Sequence, residues 1–187
     1  MPPHTYTRYV TRTATYLGAT DFQPLAPDFN IEIGYLYHSS AMIRDEDSDD
    51  REHGDPADNG ARPGARAPHV WVQHKGQRLS TLDLFGRGFV LLTTPEGNAW
   101  RAAAGAVVQT NPGSVIDCYR VGVDLQEQQS ANRTFRDAYA LRPAGAVLVR
   151  PDGFVGWRTQ PMPDHADSAL RQALDRLLLR PPAPAGG

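Results

Sequence analysis

Gly86-Arg87-Gly88-Phe89-Val90-Leu91-Leu92-Thr93-Thr94-Pro95-Glu96-Gly97-Asn98-Ala99-Trp100 decides the reading of this chain. Phe89–Thr93 is a short apolar run after two glycines, the pattern of a buried strand. Pro95, Gly97 and Asn98 break it, and the alanine-rich segment 99–108 that follows favours a helix. Strand, break and helix in this order open a βαβ unit.

Downstream, Asn111-Pro112-Gly113 marks a turn and 114–123 (SVIDCYRVGV) alternates as a second strand. Segment 134–139 reads as a short helix. Ala146–Arg150 and Phe154–Trp157 flank Pro151-Asp152-Gly153 and read as an antiparallel hairpin. Leu170, Ala173, Leu174, Leu177 and Leu178 recur on one face of a closing helix, with Asp164 expected as its N-cap. The resulting order, βαβαββα, is a thioredoxin-like α/β arrangement with an N-terminal extension and no CxxC. The place where such a fold carries its reactive cysteines is Thr94–Trp100, which contains no sulfur. The single cysteine of the sequence, Cys118, falls in the second strand, where it reads as an inert, packed thiol.

The chain has 187 residues with a net charge of −2, enough for one domain and some additional chain. The longest apolar runs are far too short to span a bilayer, and residues 1–10 show no leader pattern, so the expectation is a cytoplasmic protein. One cysteine excludes an internal disulfide and a thiolate metal cluster. Charge is uneven. Asp45 to Asp58 holds eight acids and one base, a net of −7 that leaves +5 for the rest. That run argues against a nucleic-acid face. Residues 45–68 are acidic, then rich in Gly and Pro and poor in large apolar side chains, the composition of a mobile linker. The expected division is therefore an extension over 1–44, a linker over 45–68, a thioredoxin-like domain over 69–180 and a frayed tail over 181–187.

Several side chains are candidates for chemistry. Tyr35, Tyr37 and His38 form the densest aromatic and polar cluster of the extension. They suit stacking of a planar aromatic ligand, with His38 and Tyr37 as acid–base candidates; the alternative is that the two tyrosines only pack on the domain. Trp71 and Trp100 are further candidates for ligand contact, and Trp100 also reads as a core anchor. His69 and His74 are spaced for a metal pair only if a third ligand is near, so no metal or other cofactor is expected. Asp83 with Arg87, and Asp152 with Arg150, are candidate ion pairs, Asp152 serving its turn.

Three ordered blocks carry a family resemblance. Arg62-Pro63-Gly64-Ala65-Arg66-Ala67-Pro68-His69-Val70-Trp71-Val72, the segment Ser80–Leu92, and Gly145–Arg158 resemble the C-terminal domain of FAD-dependent aromatic-ring monooxygenases, the phenol hydroxylase-like and aromatic polyketide hydroxylases. Ile33–Ala41 is similar to the segment where the catalytic portion of such an enzyme ends. The resemblance spans about residues 30–180. It implies a thioredoxin-like domain that has lost its dithiol and takes part in subunit contacts. The flavin-binding GxGxxG turn has no counterpart here: only Gly86-x-Gly88 occurs, in the wrong context. The near-absence of lysine beside 18 arginines fits the GC-rich coding of an actinobacterium.

The expectation is a free-standing accessory protein in aromatic polyketide tailoring, acting in assembly, stabilisation or substrate hand-over without flavin. Its partners would be a flavin-dependent monooxygenase, a second copy of itself, or an aromatic polyketide. The alternatives are a cofactor-free tailoring enzyme on such a compound, or a protein that binds and sequesters it.

Overall fold

The structure is a computed structural model that describes residues 28–111, 113–128, 133–160 and 162–180. Residues 1–27 of the expected extension and the expected tail over 181–187 lie outside them.

A four-stranded sheet organises the chain. Its strands are β3 (Phe89–Thr93), β4 (Ile116–Arg120), β6 (Ala146–Val149) and β7 (Val155–Thr159), in the order β4-β3-β6-β7. β3 runs parallel to β4 and antiparallel to β6, and β6 pairs antiparallel with β7. Helix α2 (Asn98–Thr110) makes the crossover from β3 to β4, the short α3 (Phe135–Ala138) precedes β6, and α4 (Ala166–Leu177) closes the unit. A mixed α/β fold with this βαβ then ββα order is what the sequence predicts. A five-residue helix α1 (Asp28–Glu32) stands before it.

β3 is continuously apolar because the sheet is covered on both faces. Leu91, with Leu148 of β6, faces Trp100, Val107, Leu170 and Leu174 of helices α2 and α4. Val90 and Leu92, with Val147 and Val149, face Val72, Leu125, Phe135 and Tyr139. Trp100 and Tyr139 are the largest fully buried side chains among the described residues. Each spends its one polar group on a backbone carbonyl: Trp100 Nε1 donates to Ala144 O at 2.9 Å and Tyr139 Oη to Pro68 O at 2.8 Å.

The second layer holds a three-stranded sheet outside the predicted strands. β1 (Trp71–His74) and β2 (Gln77–Ser80) form a hairpin, and β5 (Gln126–Glu127) adds to the other side of β1. The hairpin turns on Lys75 and Gly76, both at positive φ (49° and 82°), the two-residue turn that matches strand twist. Helix α4 starts one residue later than expected for Asp164: His165 stands at its N-cap, with no side-chain cap bond. The true side-chain caps are Ser80 and Thr134, each in a capping box with an aspartate three residues on. Asp83 therefore caps Ser80 N at 2.8 Å instead of serving Arg87.

The expected linker is the main correction. Residues 45–68 are not a solvated tether but a strap held on the domain, its residues 64–67 running along the open edge of β7. Gly64 N donates to Val155 O and Val155 N to Ala65 O, both at 2.8 Å, and Ala67 N donates to Gly153 O. Ala61, Ala65 and Ala67 are buried. Gly64 stands at φ 92°, and a Cβ there would lie 2.4 Å from Tyr37 O, so glycine is required for this approach. Composition misled because the strap is held by backbone pairing and charge, not by large apolar side chains. Arg158 of β7, its side chain 2% exposed, receives the acidic run: Nε donates to Asp45 Oδ2 at 2.8 Å, Nη2 to Asp47 Oδ2, and Nη1 to Gly60 O at 2.7 Å. Asp49 pairs with Arg51 and with Arg62, and Asp50 with Arg44.

Removing both partners leaves a buried guanidinium uncompensated. The Asp45→Ala/Asp47→Ala double variant is expected to lose about 3–5 kcal/mol in urea denaturation. Glu46→Ala, in the same run, is expected to change stability by less than about 0.5 kcal/mol. Equal effects from the two would refute the role given to Arg158.

Candidate functional site

The strap brings the aromatic candidates of the extension together. Tyr35 bridges to His53, Leu36 N donates to Glu52 O, and Tyr37 N donates to Gly64 O. These bonds stack Tyr35 edge-on to Tyr37 (ring centres 5.3 Å apart) and to His53, and Tyr37 edge-on to Phe154 at 5.0 Å. Both tyrosines remain about two-fifths exposed. His38 follows them, and its Nε2 lies 2.7 Å from Arg51 O. A carbonyl only accepts, so Nε2 carries the proton and any acid–base work by a neutral His38 falls to Nδ1. Tyr37 and His38 border a cavity of about 340 Å³ with Ser39, Ser40, Arg44 and Arg62.

Trp71 does not join that cluster. It sits on β1, edge-on to His69 at 4.7 Å and beneath the Arg78 guanidinium, 4.1 Å from the ring centre. Trp100 is no ligand contact: it is fully buried on α2, edge-on to Trp157, as a core anchor. His69 and His74 do not converge either. His69 Nδ1 lies 2.6 Å from Ser80 Oγ, whereas His74 Nδ1 is 3.3 Å from Asp124 O. Asp152 pairs with Arg150 at 2.6 Å and accepts from Phe154 N within its turn.

A larger cavity, of about 720 Å³, lies where the strap, the turn after β2 and the β6–β7 turn meet. It is bordered by Phe85, Leu82 and Pro68 and by the cationic groups Arg66 and Arg133. Sequence reasoning passed over Arg66 and Arg158, which appeared there only as letters of a motif. The signal for Arg158 was an arginine inside an apolar strand opposite a surplus of acids. The Ser80–His69 contact was legible only in part, through the Ser-x-x-Asp capping pattern.

The loop between β3 and α2 is tied down by oxygen, not sulfur. Thr93 Oγ1 donates to Gly145 O at 2.7 Å, and Thr94 Oγ1 accepts from Ala144 N at 2.9 Å. Glu96, held down to about 2 by bonds from Thr94, its own backbone and Arg136, is an exposed ion-pair partner. Cys118 lies on β4, opposite Leu91, and burial pushes its thiol up to about 11, against a small opposing pull from Arg101. Asp124, though burial works against ionisation, is kept at about 2 by Arg120 and Arg101. Among the described residues no helix is long and apolar enough to cross a membrane, and no three His, Cys, Asp or Glu side chains group as metal ligands.

A thiol at 11 instead of its ordinary 9.0 holds about 100-fold less thiolate at pH 8. Alkylation of the native chain by iodoacetamide at pH 8 is expected to be slower than that of the urea-unfolded chain by at least this factor. The difference should shrink as pH rises through 9 to 11. Equal rates at pH 8 would refute the inert assignment of Cys118.

The model of the family described as "Aromatic-ring hydroxylase, C-terminal" matches residues 60–181. A 4-methyl-5-nitrocatechol 5-monooxygenase of Burkholderia sp is 38% identical over 94% of this chain and 32% of its own length. The aklavinone 12-hydroxylase of Streptomyces purpurascens is 43% identical over 79% of this chain and 27% of its own. Among solved structures, aklavinone-11 hydroxylase in complex with FAD and aklavinone aligns over 92% of this chain and 31% of its own at 39% identity, with a TM-score of 0.80. The chain thus spans about a third or less of the proteins it matches.

Proposed function

Because the chain belongs to the family of aromatic-ring hydroxylase C-terminal domains, we propose that it serves flavin-dependent hydroxylation of an aromatic substrate of the polyketide type as a module without redox chemistry of its own. Its contribution is assembly, stabilisation or hand-over of substrate next to a flavoprotein. The βαβ–ββα order supports the thioredoxin-like assignment of the unit. The observation that carries the reading is the loop Thr94–Gly97 at the end of β3. In a redox-active relative this loop would need a low-pKa thiolate at the start of α2. Here two threonines bind backbone groups instead, and the single thiol is half-buried on another strand. Fold alone does not set activity, so the assignment rests on the combination of family and loop chemistry.

The test is flavin. The purified 187-residue chain is expected to be colourless, to take up no FAD in equilibrium dialysis, and to restore hydroxylation to a flavoprotein hydroxylase from which the homologous C-terminal part has been removed. Stoichiometric FAD on the isolated chain would refute the reading.

The 340 Å³ cavity beside Tyr37 and His38 favours a second reading, acid–base turnover of an aromatic polyketide at those residues. On that reading, His38→Ala and Tyr37→Phe each lower turnover at least tenfold in an assay of the flavin-free chain. Unchanged rates would eliminate it.

A further inference from the structure

The 720 Å³ cavity is of the size that takes a small ligand. Its walls are mostly apolar. Leu82 and Ile33, 46% and 41% exposed, line it together with Phe85 and Pro68. Its polar groups are biased toward donation. Arg66 lies with its guanidinium carbon 4.6 Å from the centre of the Phe154 ring, and it has neither a carboxylate nor a carbonyl partner among the described residues. Arg133 is already used, by Ala57 O and Asp137 O. The carboxylate on the lining, Asp152, is likewise used, by Arg150 and by Phe154 N.

His69 adds a second polar group. Ser80 Oγ accepts from Leu82 N at 3.0 Å, and His69 Nδ1, at 2.6 Å, is placed to take its hydroxyl proton. In the tautomer that takes this proton the neutral imidazole carries its hydrogen on Nε2, which has no partner among the described residues. Protonated, the ring still presents an N–H there. The cavity thus joins apolar walls, a stacked guanidinium in want of an anion, and the imidazole of His69.

We propose that this cavity binds a planar aromatic anion, a fused or linked ring bearing a carboxylate, sulfonate or ionised phenol. The rings lie against Phe85, Leu82 and Pro68, and the acidic group is taken by Arg66 and by His69 Nε2. The site stands on its own chemistry and holds whether or not the chain serves a flavoprotein. It goes beyond the Tyr37–His38 cavity, with which it shares no lining residue.

Two probes of matched shape test it: 8-anilino-1-naphthalenesulfonate, and N-phenyl-1-naphthylamine, which lacks the sulfonate. The full chain is expected to bind the sulfonate saturably at one site, with amide shifts at Ala67, Gly86 and Gly153. Arg66→Gln is expected to weaken the sulfonate at least tenfold and the neutral probe less than threefold. His69→Phe is expected to weaken the sulfonate severalfold while circular dichroism shows an unchanged fold. The proposal is overturned by absence of saturable binding, by shifts confined to other residues, or by an Arg66→Gln variant that leaves the sulfonate unaffected or weakens both probes alike.

Discussion

The guanidinium of Arg158 is the constraint on which the arrangement of this chain depends. It is buried in β7, and taking such a charge out of water costs several kcal/mol unless anions and carbonyls meet it. Asp45, Asp47 and Gly60 meet it, and all three belong to the strap. Two acids of the run, Asp45 and Asp47, are thus the counter-charge of a residue more than a hundred positions away. Once the strap is anchored there, its backbone falls into register with β7, and Tyr37, His38 and Arg66 come to the surface they occupy.

The strap also separates the two candidate cavities. On one side it forms the wall of the Tyr37–His38 cavity, and on the other the wall of the larger cavity at Arg66 and His69. The sheet beneath both is covered by α2 and α4 on one face and by the three-stranded sheet and α3 on the other. Both candidate cavities therefore sit on loops held by a well-packed scaffold, the usual division of labour in α/β proteins.

Much of this fold was legible in the sequence, for physical reasons. The apolar run Phe89–Thr93, the Pro151-Asp152-Gly153 turn and the leucine spacing of 170–177 each report a local rule, and each element stands where expected. The small sheet was harder: β5 is two residues long, and Gln126 and Glu127 carry no strand preference. The strap was misread because its order comes from long-range pairing, which composition does not record. Of the site candidates, Tyr35, Tyr37 and His38 do share a surface, Trp71 stands apart, and Trp100 belongs to the core. Arg66 and the Ser80–His69 contact needed three-dimensional neighbours to acquire a meaning.

Coverage of the β7 edge has a consequence for where this polypeptide can be cut. A shortened version beginning at residue 69 would keep every strand and helix of the βαβ–ββα unit. It would nevertheless bare the amide and carbonyl of Val155, which the strap now occupies, and the carbonyl of Gly156, which accepts from Ile43 N. An open, largely apolar edge is a template for strand addition by neighbouring molecules. The same cut strips Arg158 of every counter-charge. The smallest piece that stays monodisperse is therefore set by the acidic strap and not by the boundary of the regular secondary structure.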